Sequence, residues 1–147
     1  MDGNFILELL NSAGFIEFIG DREVRNTDQA FDYISKILSN PAIKYWVVKL
    51  NDGNAPVGIV TLIQRSYLDY PDIGFAFLPG YSNKGYAFES ANAVLENLII
   101  SSAYTRILAT TANDNSRSKN LLEKLGLKLE KEIEVEGRNL LLYYRDV

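Results

Sequence analysis

Apolar residues near the start of the chain recur at helical spacing. Ile6, Leu9 and Leu10 fit one face of a helix over 5–12, with Asn4 as its cap and Gly14 as its end. Asn26 and Gln29 stand three apart, as in a capping box, ahead of a helix over 27–38. Ala30, Tyr33, Ile34 and Ile37 form its apolar stripe, and Pro41 stops it. The pattern then turns strand-like. Residues 44–50 are rich in Tyr, Trp and Val, with Trp46 expected in the core. Asn51-Asp52-Gly53-Asn54 signals a turn, and 57–64 is the second arm of an antiparallel hairpin. After a loop over 67–71, residues 72–78 are apolar on both faces, which predicts a strand in the middle of a sheet.

A polar, glycine-containing stretch, Pro79-Gly80-Tyr81-Ser82-Asn83-Lys84-Gly85, separates that strand from a helix over 86–100. Phe88, Ala91, Val94, Leu95, Leu98 and Ile99 give the helix its apolar face. A fourth strand over 105–111 completes a βαβ unit, so the strands ending at Leu78 and Thr111 are expected to be parallel. The last helix spans 116–125 and closes at Gly126. Two further strands, 127–135 and 140–145, join across Glu136-Gly137-Arg138-Asn139. No repeat or linker interrupts residues 1–147, which read as one α/β domain with a mixed sheet.

Composition narrows the chemistry. The 147 residues include no cysteine and no histidine. Disulfides, thiolate nucleophiles, histidine-based triads and the usual zinc sites are therefore out of reach. Carboxylates, hydroxyls, lysines, backbone dipoles or a cofactor must do any work. A formal charge of −4 argues against nucleic acid as a partner. No apolar run reaches transmembrane length and the N-terminus has no basic region before its apolar stretch. A cytoplasmic location with no membrane partner is the default expectation.

Two segments carry candidate chemistry. In residues 80–89 a strand ends, a polar loop follows and a helix begins. The first amides of a helix lack intrahelical partners and attract phosphate. Gly85 would let backbone approach a ligand, Ala87 keeps the first turn uncluttered and Lys84 adds a cation. The same residues also make an ordinary strand-to-helix turn with a surface lysine. In the second segment, Asn115 is a good N-cap, Ser118 sits in the first turn and Gly126 ends the helix.

Four stretches in order resemble a known family. They are 15–22 (Phe-Ile-Glu-Phe-Ile-Gly-Asp-Arg), 72–79 (Asp-Ile-Gly-Phe-Ala-Phe-Leu-Pro), 84–89 (Lys-Gly-Tyr-Ala-Phe-Glu), and Asn115-x-x-Ser118 followed by Leu122-Glu123-Lys124-Leu125-Gly126. The chain resembles the GCN5-related N-acetyltransferases (GNAT), in the branch of the ribosomal-protein N-terminal (RimJ/RimL-type) acetyltransferases. The resemblance implies a mostly antiparallel sheet with one splayed parallel strand pair and flanking helices. It implies acetyl transfer from acetyl-CoA to a primary amine, in a ternary complex and without metal. The pantetheine arm would enter beside Phe77 and Leu78, the pyrophosphate would sit on Asn83, Lys84, Gly85, Tyr86 and Ala87, and the Asn115 amide would meet the arm. A backbone amide near Phe77 or Leu78 would serve as oxyanion donor and Ser118 as proton donor to the thiolate. Asp72 would be the base, acting through water, or else a solvated charge at a strand end.

The sequence also departs from the family pattern. Ser82 stands where the family has a long side chain, and Leu122 where many members have a tyrosine acid. The strand that usually precedes the first helix is not seen; either the sequence starts downstream of it or the strand is missing, and in the second case the 44–50 strand would have an open edge. Tyr67, Asp69 and Tyr70 shape the acceptor site or form a plain turn, and Glu89 complements the helix dipole. Tyr143 and Tyr144 alternate, so one is expected to face the core. The acceptor would be a small-molecule or peptide N-terminal amine, and a homodimer is an expectation only. The altered Ser82 and Leu122 also admit a non-catalytic acyl-CoA-binding or regulatory module. A third reading, a plain interaction domain, needs no ligand at all.

Overall fold

Every predicted strand and helix forms within two residues of its expected bounds in a computed structural model, which describes residues 3–81, 85–101 and 103–147. The helices are α1 Gly3–Leu10, α2 Ala13–Phe18, α3 Thr27–Ser39, α4 Tyr86–Ser101 and α5 Ser116–Lys124. The strands are β1 Ile43–Lys49, β2 Pro56–Ile63, β3 Asp72–Phe77, β4 Arg106–Ala112, β5 Lys128–Val135 and β6 Arg138–Asp146. Among the described residues no helix is long and apolar enough to cross a membrane.

Three local expectations need correction. The first concerns both ends of α1, since Asn4 lies inside the helix and does not cap it. Gly14 does not end α1. It lies inside α2, a helix the periodicity did not predict. α1 stops at Leu10 because Asn11 and Ser12 take over its last carbonyls. Asn11 Nδ2 donates to Leu7 O at 2.7 Å and Ser12 Oγ to Leu9 O at 2.8 Å. The second correction concerns the last hairpin. Glu136 and Gly137 both have positive φ, 51° and 77°, so they make a two-residue turn and β6 already begins at Arg138. The third is the capping box. Asn26 Oδ1 accepts from Gln29 N at 2.9 Å as expected, but Gln29 Oε1 accepts from Arg25 N at 2.7 Å, one residue upstream of the box position. Asn26→Ala is expected to cost about 1 kcal/mol, read from the midpoint of urea unfolding.

The strand order is β1-β2-β3-β4-β6-β5, and every neighbouring pair is antiparallel except β3–β4. Strand alternation divides the apolar residues between two cores. Val60, Leu62, Ile73, Ile107 and Tyr143 face α4 and α5, where Leu95, Leu98 and Leu122 meet them. Trp46 packs, partly buried, against this core. On the opposite face Ile59, Tyr45, Val47 and Ala76 meet Phe5, Leu9 and Leu10 of α1 and Phe15 of α2. β1 and β5 are the sheet edges, and exposed lysines, Lys44 and Lys49 on β1, mark the first of them.

Candidate active site

The parallel pair β3–β4 is joined at one register position, Asp72 with Leu108, where Leu108 N donates to Pro71 O at 2.9 Å. Beyond it the two strands share no ladder contact among the described residues. The register fixes which backbone groups face the gap. Leu78 N donates to Val57 O at 2.9 Å, so the even-numbered residues of β3 turn their N–H and C=O toward β2. Those of Phe75 and Phe77 therefore point toward β4, and the Leu108 bond turns those of Thr110 and Ala112 toward β3. The open end of the pair presents two facing rows of backbone groups without a strand partner. Phe75, Phe77, Thr110 and Ala112 are half-buried along the cleft, so these groups are placed to pair with a hydrogen-bonding occupant in place of water.

This geometry separates two residues that the sequence treated together. Phe77 aims its amide into the gap. Leu78 does not, because its N–H is held by Val57, its carbonyl accepts from Tyr81 N at 2.9 Å, and its side chain is buried against α1 and α2.

Asn115 and Ser118 stand on one wall of a cleft of about 890 Å³ that runs through the gap. Asn115 Oδ1 accepts from Ser118 N at 3.2 Å and caps α5. Its Nδ2 and the Ser118 hydroxyl make no hydrogen bond among the described residues and are available to a ligand. Leu122, one turn further along α5, is buried in the core, so no acid occupies that position. Gly85 has φ +79° and its carbonyl accepts from Glu89 N at 3.1 Å, which leaves the amides of Tyr86, Ala87 and Phe88 without intrahelical partners. These residues open α4 and are not part of the cleft's lining. Glu89 is exposed in the first turn. Ser82, Asn83 and Lys84 lie outside the described residues.

The other end of the cleft lies between the sheet and α2. Tyr45, Thr61 and Gly74 are register partners across β1, β2 and β3, and all three line it. Gly74 leaves room there, since a Cβ in its place would lie 2.8 Å from Thr61 Oγ1. Asp72 is not a solvated strand-end charge. Its side chain is 4% exposed and its Oδ2 accepts from Arg65 Nε at 2.5 Å. Burial pushes the carboxyl pKa up, the Arg65 guanidinium pulls it down, and the net direction is upward. For Arg65 burial pulls down and Asp72 pulls up, with a net rise. Burial also raises the Tyr45 hydroxyl well above the usual phenol, helped by its neighbour Tyr33, whose hydroxyl lies 3.1 Å away.

α2 roofs this end. Arg138, from the start of β6, donates to Ile19 O and Phe18 O at 3.5 and 3.3 Å and ties the roof to the last hairpin. Of the loop residues singled out earlier, Tyr67 reaches the main cleft. Asp69 and Tyr70 line a separate hollow of about 270 Å³, where the Arg106 guanidinium lies 5.7 Å from the Tyr70 ring centre. Tyr143 is buried, whereas Tyr144 is half-buried with Arg106 4.6 Å above its ring. Sequence reasoning missed Tyr45, Arg22, Arg65 and Arg138. Two of them left a signal, Arg22 as the end of the family-like stretch 15–22 and Arg65 seven positions before Asp72 across a hairpin.

A family model for the acetyltransferase (GNAT) domain matches residues 2–128. The chain is similar to the uncharacterized N-acetyltransferase YnaD of Bacillus subtilis, 28% identical over 129 residues, which cover 88% of this chain and 75% of that protein. It is also similar to the solved structure of a GNAT-family acetyltransferase from Bacillus anthracis, with a TM-score of 0.81 and 25% identity over 99% of this chain and 89% of the other. The microcin C7 self-immunity acetyltransferase MccE, solved with acetyl-CoA and AMP, superposes with a TM-score of 0.85 over 99% of this chain and 87% of its own. At 18% identity that likeness is one of fold alone.

Proposed function

The chain belongs to the GNAT acetyltransferase family, and from that premise we propose that it acetylates a primary amine in the cleft between β3 and β4. The observation that carries this reading is the splayed strand pair, whose unpaired backbone groups match the amides of a pantetheine arm. The free Nδ2 of Asn115 and the open amides at the start of α4 fit the rest of the same ligand. We place the chain in the RimJ/RimL-type branch on its four resembling stretches.

Acetyl-CoA supplies the acetyl group as a thioester and departs as free CoA. The residues around it then have defined tasks. The Phe77 amide, aimed into the gap, would donate to the carbonyl oxygen as charge develops there. An ammonium has no lone pair, so the acceptor must lose a proton. Asp72, with its raised pKa and its place on the cleft wall, would take that proton through water. The Ser118 hydroxyl would hydrogen-bond the departing thiolate and relay a proton to it from water, so that the serine ends as it began. Because a thiol resembling cysteine has a pKa of roughly 8–9, this last contribution is modest.

Calorimetric titration with acetyl-CoA, with ATP as control, tests the reading. A dissociation constant near 1 μM, about −8 kcal/mol, and no binding of ATP are expected. Ser118→Ala is expected to lower turnover roughly tenfold and to leave acetyl-CoA affinity within about twofold, because the hydroxyl is asked to act only as the thiolate leaves. Absence of acetyl-CoA binding to the folded chain would sink the proposal. The second reading, a non-catalytic acyl-CoA-binding module, has the apolar Leu122 in its favour. It would show binding with no turnover of any amine.

A further inference from the structure

The end of the cleft under α2, which the cofactor reading leaves for the amine acceptor, carries more positive than negative charge. Arg22, Arg65 and Arg138 line it against Asp72 and Glu136. Asp72 is already paired with Arg65. Neither Arg22 nor Arg138 has a carboxylate within 4 Å among the described residues. Arg138 is occupied by the carbonyls at the end of α2. Arg22 is not held in this way. It follows α2, is exposed, and its guanidinium lies 5.9 Å from the centre of the Phe15 ring. Arg22 and Arg65 line the same cleft as Tyr45, and both draw the Tyr45 hydroxyl pKa down against burial.

Positive charge at this place acts on an amine in two ways. It disfavours the ammonium form and so favours the neutral nucleophile. It also disfavours any acceptor whose remaining groups are cationic, and attracts one with an anion close to its amine. We propose that the acceptor is a primary amine that also bears a carboxylate or a phosphate, and that Arg22 binds this anionic group. The inference rests on the acetyl-transfer reading and narrows its acceptor. Arg22 suits the task because its planar fork offers paired donors to either anion. Arg65 instead holds Asp72, and Tyr67 and Tyr45 form the walls between the two.

Initial rates of CoA release over matched amines test this. Phosphoethanolamine is compared with ethanolamine, L-phenylalanine with phenethylamine, and spermidine serves as the polycation. The anion-bearing member of at least one pair is expected to have a kcat/KM higher by roughly tenfold or more. Which pair shows it distinguishes phosphate from carboxylate. Arg22→Gln is expected to raise the KM for that amine by a similar factor and erase the preference, with acetyl-CoA affinity unchanged by calorimetry. Lys36→Gln removes the same charge from an exposed position of α3 and is expected to alter neither. Equal rates within both pairs, spermidine as the best acceptor, or an unchanged KM in Arg22→Gln overturns the proposal.

Loss of the parent reading is seen separately, as no acetyl-CoA binding. If that occurs, or if no amine turns over, calorimetry with phosphoethanolamine and L-phenylalanine decides. Binding that Arg22→Gln removes upholds the anion subsite, and no binding to the wild-type chain overturns it.

Discussion

Arg65→Met is expected to destabilise the folded chain by about 3 kcal/mol at neutral pH, because it strands the Asp72 carboxylate in the sheet. The two sides of this ion pair are unequal. Asp72 is 4% exposed and Arg65 33%. Losing the partner of the more buried charge is the costly direction. The low end of the usual range applies because the arginine is partly in water. Methionine keeps an apolar stem of similar length, so lost packing contributes little. The pH dependence follows from the raised pKa of Asp72. A carboxyl whose folded pKa lies above its unfolded value leaves stability intact below the unfolded pKa, and stability is lost as pH rises through the folded value. Removing Arg65 takes away the interaction that holds the Asp72 pKa down, so the variant loses more stability on the way to neutral pH. Urea unfolding of both proteins between about pH 4 and pH 8 should show the gap shrinking toward acid. A gap independent of pH would mean that the Asp72 charge is not what Arg65 stabilises.

The pair also shows where the sequence stopped being informative. Asp72 was visible as the polar opening of an apolar strand, but its partner comes from beyond the end of β2 and is brought to it by the hairpin. Tyr45, Arg22 and Arg138 lie on three further elements, so no local spacing connects them. Asn115 and Ser118 were legible for the opposite reason. A capping interaction joins residues three apart, and the helix geometry does the rest. The distinction between Phe77 and Leu78 depends on pairing register. A shift by one residue would exchange the strand each amide faces, and that register is set by the partner strand.

α2 was hidden at the level of local structure. Its six residues, Ala-Gly-Phe-Ile-Glu-Phe, have no side-chain cap and include a glycine. A helix this short is marginal in isolation. It persists because Phe15 is buried and because Arg138, about 120 positions away, donates to the carbonyl at its end. The long helices and the strands carry their own periodicity and needed no such help. What the sequence concealed is therefore the roof over the α2 end of the cleft, while the strands on either side of the β3–β4 gap were readable.

Gly58→Ala is the second substitution expected to have a large effect, and it links strand packing to the cofactor gap. Gly58 pairs with Phe77 across β2 and β3, and the Phe77 ring lies over it. A Cβ at position 58 would sit 2.4 Å from Phe77 Cδ2 and 2.7 Å from Cγ, too close to the root of the ring for a small tilt to relieve. Glycine inside a strand commonly marks such an approach. Overpacking of this kind costs about 2 kcal/mol. The ring must leave the end of β3, where the Phe77 amide faces the gap, so turnover with acetyl-CoA is expected to fall by roughly tenfold or more, the scale of a lost preorganised donor. A double-mutant cycle with Phe77→Ala isolates the cause. Once the ring is gone the three closest contacts of the added methyl go with it, and the two substitutions should be non-additive by more than about 1 kcal/mol in urea unfolding. Simple additivity would place the requirement for glycine in the β2 backbone instead. Non-additivity in both stability and turnover would mean that the Phe77 ring is what requires glycine at position 58, and that the ring's seat there fixes the Phe77 amide at the gap.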